Sequence, residues 1–358
     1  MSIGLTLRDS LDVEKVFIKT GSTLLDYALG GGYLFGRIIN IIGDQSTGKT
    51  LLALQGSRNM QMRNKGFVVL DDAETALDEI RAVKVFRLDP DDTFLSLFDD
   101  KPCSETVEDF YKSIIKTCRK SIREKRPCLY VIDSLDALGT EREMEELEPG
   151  GGKKKKEKEK GQIEEDINER IEKVKKKDED DIEADFSMRT KLEKAQKLSD
   201  ILRRINKQLK RAKVTLIVIS QTRSKIGIMF GDKTTISGGK ALMFYASQRI
   251  KLAEIKKISK GKKIIGIWIR AKIIKNKVAE PFHVVDFPVY FNKGIDDLES
   301  CVVFLRNNSK LIGREKYIYK DKEFDSQDDF IEFLRRKRKA AAGIRRMVKE
   351  IWEKKFAV

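Results

Sequence analysis

Eight consecutive residues, Gly43-Asp44-Gln45-Ser46-Thr47-Gly48-Lys49-Thr50, have the spacing GxxxxGK[ST]. In such a loop the glycines let backbone N–H groups turn inward around phosphate oxygens at the positive start of a helix. Lys49 is placed to reach β and γ phosphates, and the Thr50 hydroxyl to ligate Mg²⁺. The apolar run ending at Ile42 precedes the loop and Leu51-Leu52-Ala53-Leu54 follows it. That strand-then-helix setting separates the motif from a chance glycine-rich turn. A second apolar run, Cys128-Leu129-Tyr130-Val131-Ile132, ends in Asp133, an acid suited to holding the Mg²⁺ shell through water. A third, Val68-Val69-Leu70-Asp71-Asp72-Ala73-Glu74, brings Glu74 to the end of a neighbouring strand. There it can orient and deprotonate a water attacking the γ-phosphate; a helix-capping or surface acid is the alternative. The chemistry these groups suit is hydrolysis of a nucleoside triphosphate.

Such residues need a frame. Arg37–Ile42, Phe67–Leu70, Cys128–Ile132 and Val214–Ser220 read as strands, and Thr50–Lys65, Glu105–Lys125 and Leu192–Ala212 as helices. Strands alternating with helices of this length predict an α/β fold: a mostly parallel, twisted sheet with helices on both faces. Ligands of such sheets sit at the C-terminal ends of the strands, where all three motifs fall.

The whole chain has 358 residues, 40% apolar and 36% charged, enough for a sizeable core and roughly two domains. No apolar run approaches the ~18 residues of a membrane span, and the first residues lack a basic and then apolar leader. Four cysteines without CxxC spacing and a single histidine, His283, argue against a zinc site and for free thiols in a reducing cytoplasm. The net charge of +16 points to a polyanion, usually nucleic acid, with solvated lysine-rich faces as the alternative. Residues 153–185 hold 11 basic and 13 acidic side chains after Pro149-Gly150-Gly151-Gly152, and read as a flexible insertion or a solvated helix. Residues 335–358 hold 10 basic and 2 acidic side chains.

Several motifs together resemble one family, the RecA-type homologous recombinases of bacteria and their phages. Gly21-Ser22-Thr23-Leu24-Leu25-Asp26-Tyr27-Ala28-Leu29-Gly30-Gly31 is similar to the family's lead-in to the phosphate loop, and Asp72-Ala73-Glu74-Thr75-Ala76-Leu77-Asp78 to its catalytic-glutamate segment. Gln221 through Gly231, continuing from Thr234 to Ser247, resembles its second DNA-binding loop and the helix behind it. Lys275-Asn276-Lys277-Val278-Ala279-Glu280-Pro281-Phe282 resembles a further family segment. The resemblance covers roughly residues 10–148 and 186–296.

It implies a RecA-like P-loop NTPase core over residues 21–295, interrupted by the charged insertion at 149–185. A short N-terminal segment, 1–20, precedes the core, and a small basic αβ domain, 296–358, follows it. It implies ATP and Mg²⁺ as cofactors. Glu74 is then the base and Gln221 the sensor of the γ-phosphate. Lys275 and Lys277 reach that phosphate from the adjacent protomer, like arginine fingers. Asp78 and Arg81 flank the adenine, with Arg81 at a position often aromatic in the family, and Phe291 and Asn292 close over the base. For DNA, Arg223, Lys225, Gly227, Gly238, Gly239 and Lys240 meet the phosphates and Ile226 wedges between bases. Met188 is matched loosely to the wedging residue of the first DNA loop, and Arg203 is a further phosphate contact. Binding is sequence-independent and single-stranded.

The implied activity is a DNA-dependent ATPase that forms helical filaments on single strands and pairs them with homologous duplex. The chain departs from the family in its short N-terminal segment, its charged insertion and a basic, not acidic, end. A regulator that keeps the ATP site without exchanging strands is the alternative these departures motivate. A hexameric helicase motor of the same core fold lacks the match around Gly227.

Overall fold

Isoleucine, valine and leucine dominate the predicted strands, as strands covered on both faces require. The computed structural model describes residues 17–77, 79–95, 103–147, 179–224, 234–236, 239–308, 317–320 and 322–356. β1 (Phe17–Ile18) and β2 (Tyr33–Leu34) pair antiparallel around α1 (Thr23–Ala28). There follow β3 (Ile38–Gly43), α2 (Lys49–Asn64), β4 (Phe67–Asp71), α3 (Glu79–Lys84), β5 (Thr93–Phe94), α4 (Val107–Glu124), β6 (Cys128–Ile132) and α5 (Glu141–Leu147). Next come α6 (Glu179–Ala212), β7 (Val214–Ser224), β8 (Thr234–Ile236), α7 (Gly239–Tyr245), β9 (Gln248–Lys260), β10 (Lys263–Asn276), β11 (Val284–Tyr290) and β12 (Gly294–Ile295). The remainder is α8 (Asp297–Asn308), the β13 (Tyr317–Tyr319) and β14 (Lys322–Phe324) hairpin, α9 (Gln327–Arg336) and α10 (Arg338–Phe356).

The large sheet runs β12-β11-β10-β9-β3-β7-β6-β4-β5. From β9 to β5 every neighbour is parallel. From β9 to β12 the sheet continues as an antiparallel wing, and β8 pairs antiparallel with the end of β7. Successive side chains of a strand point to opposite faces, and the core divides accordingly. Ile39, Ile41, Val68, Leu70, Leu129, Val131, Ile217 and Ile219 join α2 in one cluster. Ile38, Phe67, Val69, Cys128, Tyr130, Ile132, Leu216 and Val218 join α4 and α6 in the other.

The helix expected from Leu192 begins at Glu179. Its opening residues, Glu179-Asp180-Asp181, carry no apolar period, but acids at a helix start oppose the positive end of the dipole. The helix expected from Glu105 begins two residues later, where Thr106 and Asp109 close a capping box. Its two bonds satisfy donors that the first turn would leave unpaired.

Apolar side chains of the last helices belong to the first cluster. Cys301, Leu305, Phe330, Ile344, Val348 and Trp352 are buried with Ile18, Leu25 and Tyr33, and Trp352 stacks on Tyr27. Asp297 accepts from Thr23 N at 2.6 Å, Thr23 Oγ1 at 3.0 Å and Arg345 Nε at 2.7 Å, fastening α1, α8 and α10 at one point.

A buried acid ties the N-terminal hairpin together. Asp26 Oδ1 accepts from Thr20 N at 2.8 Å and Thr20 Oγ1 at 2.9 Å. Burial pushes its carboxyl up to about 7, against the pull of Lys19. A folded-state pKa above the unfolded value gives stability that is full at acid pH and lost as pH rises through the folded pKa. Asp26→Asn keeps an acceptor for Thr20 and removes the ionisation. Its stability relative to wild type should therefore improve by about 2 kcal/mol from pH 5 to pH 8. Urea unfolding at both pH values checks this; an unchanged difference would mean that Asp26 ionises normally.

Candidate nucleotide site and DNA-loop stem

The phosphate loop leaves the C-terminal end of β3, and the ends of β7, β6 and β4 lie beside it in that order. Gly48 caps α2 in the left-handed region, φ 83°, with no side-chain cap bond. A Cβ on Gly48 would meet Ile269 Cδ1 of β10 at 2.6 Å. Glycine thus serves both the turn and the close approach of the antiparallel wing. Lys49 Nζ and Thr47 Oγ1 donate to the Asp44 carbonyl at 2.6 and 2.9 Å.

Thr50 Oγ1 donates to Asp133 Oδ2 at 2.8 Å, joining the start of α2 to the end of β6. The Asp133–Ser134 peptide bond is cis. Glu74 follows β4, and its backbone N–H donates to the Asp133 carbonyl at 2.9 Å. Its carboxylate accepts from Ser134 Oγ at 2.7 Å and from Gln221 Nε2 at 3.1 and 3.3 Å. The acid is therefore held by two donors from the neighbouring strand ends. Sequence reasoning missed Ser134, although its place after Asp133 was a usable signal.

Burial is the first cause of the shifts here. It pushes Lys49 down against the pull of Asp133, Glu74 and Asp44. It pushes Asp133 up to about 6, helped by Glu74 and Asp72 and opposed by the Thr50 hydroxyl and Lys49. Acidic oxygens thus outnumber the single lysine. A hydroxyl and a carboxylate 2.8 Å apart form a hard oxygen donor set that fits Mg²⁺, whose charge would relieve that excess.

A cleft of about 490 Å³ is lined by Ser46, Lys49 and Thr50 together with Leu77 and Phe291. Glu254, Lys257, Ile264 and Ile267 of β9 and β10 also line it, from a wing that the parallel-strand pattern did not reveal. Phe291 lines the same cleft, and Asn292 beside it is exposed. Asp78 lies outside the described residues, and Arg81 is placed on α3 by its backbone alone.

Lys275 and Lys277 lie at the opposite edge of the sheet. Lys275 pairs with Arg249, itself in register with Asn40, whereas Ser247 N donates to Ile38 O and Lys277 N to Ser247 O, so Lys277 is level with the first residue of β3. The phosphate loop leaves its last, Gly43, roughly 17 Å along the strand. Lys275 Nζ donates to the Met243 and Phe244 carbonyls at the end of α7, both at 2.8 Å. Burial, then Lys277 and Arg249, lower its pKa. Phe244 and Phe282 beside it are 72% and 69% exposed.

Of the DNA candidates, Arg223 lies on β7, Met188 on α6 and Gly239 at the start of α7, where Lys240 is exposed. Arg203 is exposed on α6 and pairs with Asp200 at 3.0 Å. Lys225, Ile226, Gly227 and Gly238 lie outside the described residues, as do residues 148–178 of the charged stretch. Among the described residues no group of three or more His, Cys, Asp or Glu side chains could hold a metal ion, and no helix is long and apolar enough to cross a membrane.

The RecA N-terminal domain family matches residues 2–151 and 171–296. Protein RecA of Nostoc punctiforme is 31% identical over 351 residues, 97% of this chain and 84% of that protein. Protein RecA of Prochlorococcus marinus (strain NATL1A) is 30% identical over 347 residues, 96% of this chain and 78% of the relative. Protein RecA of Trichormus variabilis is 30% identical over 97% of this chain. With a family match over most of its residues and relatives that align along nearly its whole length, the chain belongs to the RecA family, the DNA-dependent ATPases of homologous recombination and repair.

Proposed function

We propose that this protein binds ATP with Mg²⁺ and assembles on single-stranded DNA as a helical filament that pairs with homologous duplex. In this reading Lys49 holds the β and γ phosphates, and Thr50 and Asp133 hold the metal. Bound Mg²⁺ supplies charge neutralisation between the phosphates. Glu74 takes a proton from the water whose oxygen bonds to the γ-phosphorus as the ADP oxygen leaves. Ser134 and Gln221 aim its carboxylate. Phe291, with Asp78 and Arg81, receives the base. Met188, Arg203, Arg223, Lys225, Ile226, Gly227, Gly238, Gly239 and Lys240 form the DNA-contact set. The four cysteines are free thiols, which suits a cytoplasmic protein.

The observation that carries the reading is the bond from Gln221 to Glu74. It joins the hydrolytic acid to the stem of the DNA-contact segment, so DNA binding has a direct route to hydrolysis. The place of Lys275 and Lys277 supports self-association: Lys277 lies roughly 17 Å along the sheet from its own phosphate loop, and Lys275 is turned to the carbonyl end of α7. Exposed Met243, Phe244, Val278 and Phe282 give that edge an apolar surface of the kind that marks a contact. Electron microscopy on single-stranded DNA with a non-hydrolysable ATP analogue tests the proposal. Helical filaments are expected; closed rings or bare DNA would overturn it.

A further inference from the structure

β7 is pinned on both flanks at its end, and only one pin belongs to the roles assigned above. Gln221 is in register with Gly43 of β3, yet its amide reaches across β6 to the Glu74 carboxylate. Thr222, the next residue, turns to the other flank. Its hydroxyl donates to Oδ1 of Asp44, the second residue of the phosphate loop.

Asp44 is a hub of that loop. Its carbonyl accepts from both Lys49 Nζ and Thr47 Oγ1, so a movement of Asp44 is passed to the phosphate-binding lysine. Its carboxylate is an awkward neighbour for a polyphosphate, because like charges a few ångströms apart repel. A donor that keeps this carboxylate against β7 keeps it away from the phosphates. That donor stands in the stem of the DNA-contact segment: Thr222 pairs with Ile236, Arg223 with Thr235 and Ser224 with Thr234.

We propose that Thr222 is a positioning residue that couples DNA binding to nucleotide binding, by holding the Asp44 carboxylate on β7 and off the polyphosphate. Coupling of this kind is reciprocal: if DNA fixes the stem and tightens nucleotide binding, nucleotide tightens DNA binding by the same factor. The connection is separate from the Glu74–Gln221 bond, which acts on the attacking water. Its DNA half rests on the function proposed above; its nucleotide half does not.

A double-mutant cycle tests it. Dissociation constants for a fluorescent, non-hydrolysable ATP analogue are measured with and without oligo(dT) for wild type, Thr222→Val, Asp44→Asn and the double variant. Thr222→Val should weaken nucleotide binding about 3- to 10-fold and remove a similar factor from the tightening by DNA. Thr222→Ser, which keeps the hydroxyl, should behave as wild type. In the Asp44→Asn background the Thr222→Val change should have no effect beyond about twofold, since no carboxylate remains to be restrained. Equal effects in both backgrounds, or none in either, would overturn the proposal. Should valine disturb the pairing with Ile236, Thr222→Ala removes the same hydroxyl and serves in its place. If DNA fails to tighten nucleotide binding even in wild type, the proposed DNA function fails, while the cycle without DNA still decides the Thr222–Asp44 link.

Discussion

Glu74→Gln should lower DNA-stimulated ATP turnover by at least about 100-fold, the usual size for losing a positioned base, and leave nucleotide binding nearly intact. The side chain touches Ser134 and Gln221 rather than the phosphate loop. Glutamine is almost isosteric with glutamate, and its Oε1 can still accept from Ser134. Its Nε2 would face the Gln221 Nε2 donor, and an amide flip of Gln221 restores the bond. The local frame survives and the proton acceptor is lost. Single-turnover hydrolysis with saturating DNA, alongside a nucleotide titration, reads the two effects separately. Wild-type turnover in the variant would remove Glu74 from the mechanism.

The second large effect is expected at the opposite edge of the sheet. Lys275→Ala with Lys277→Ala should abolish DNA stimulation, a loss of about 10³ or more if the two lysines act as arginine fingers do. The variant should still fold: Lys277 is exposed, and Lys275 contributes two bonds to the carbonyl end of the seven-residue α7. Circular dichroism checks that point. Mixed with Lys49→Ala at equal concentration, the double variant should regain activity. One interface type then pairs an intact phosphate loop with intact lysines, and in a head-to-tail assembly about a quarter of the interfaces are of that type. No rescue at any ratio would place the complete site within one chain.

The sequence made some of this site legible and hid the rest, for identifiable reasons. Lys49, Thr50, Asp133 and Glu74 were readable because each ends or follows a run of apolar residues in a strand covered on both faces. The residues that aim them were not. Ser134 and Thr222 are small hydroxyls with no spacing rule, and only the order of the strands brings them to Glu74 and Asp44. The antiparallel wing escaped for a different reason. The outer halves of β9 and β10 carry exposed lysines around exposed Ile255 and Ile264, which blurs the alternation that marks a half-buried strand. Gln221 and the paired lysines were reached through family resemblance, and spacing alone would not have found them. The acidic opening of α6 was read as solvated charge because the helix there has no apolar stripe to show.

The clamp at Asp297 has a consequence for how the chain comes off the ribosome. Thr23 and Asp297 are 274 residues apart, and the Arg345 that completes the clamp lies further still. Trp352, which stacks on Tyr27, is later again. The face of the sheet that carries the phosphate-loop helix therefore cannot be sealed until the last helix has been made. Until then Leu25 and Tyr27, and Cys301 once it is made, must wait with part of their apolar surface uncovered, the condition in which nascent chains aggregate or call on chaperones. The opposite face, built by α4 and α6, is free of that delay and can close while translation continues.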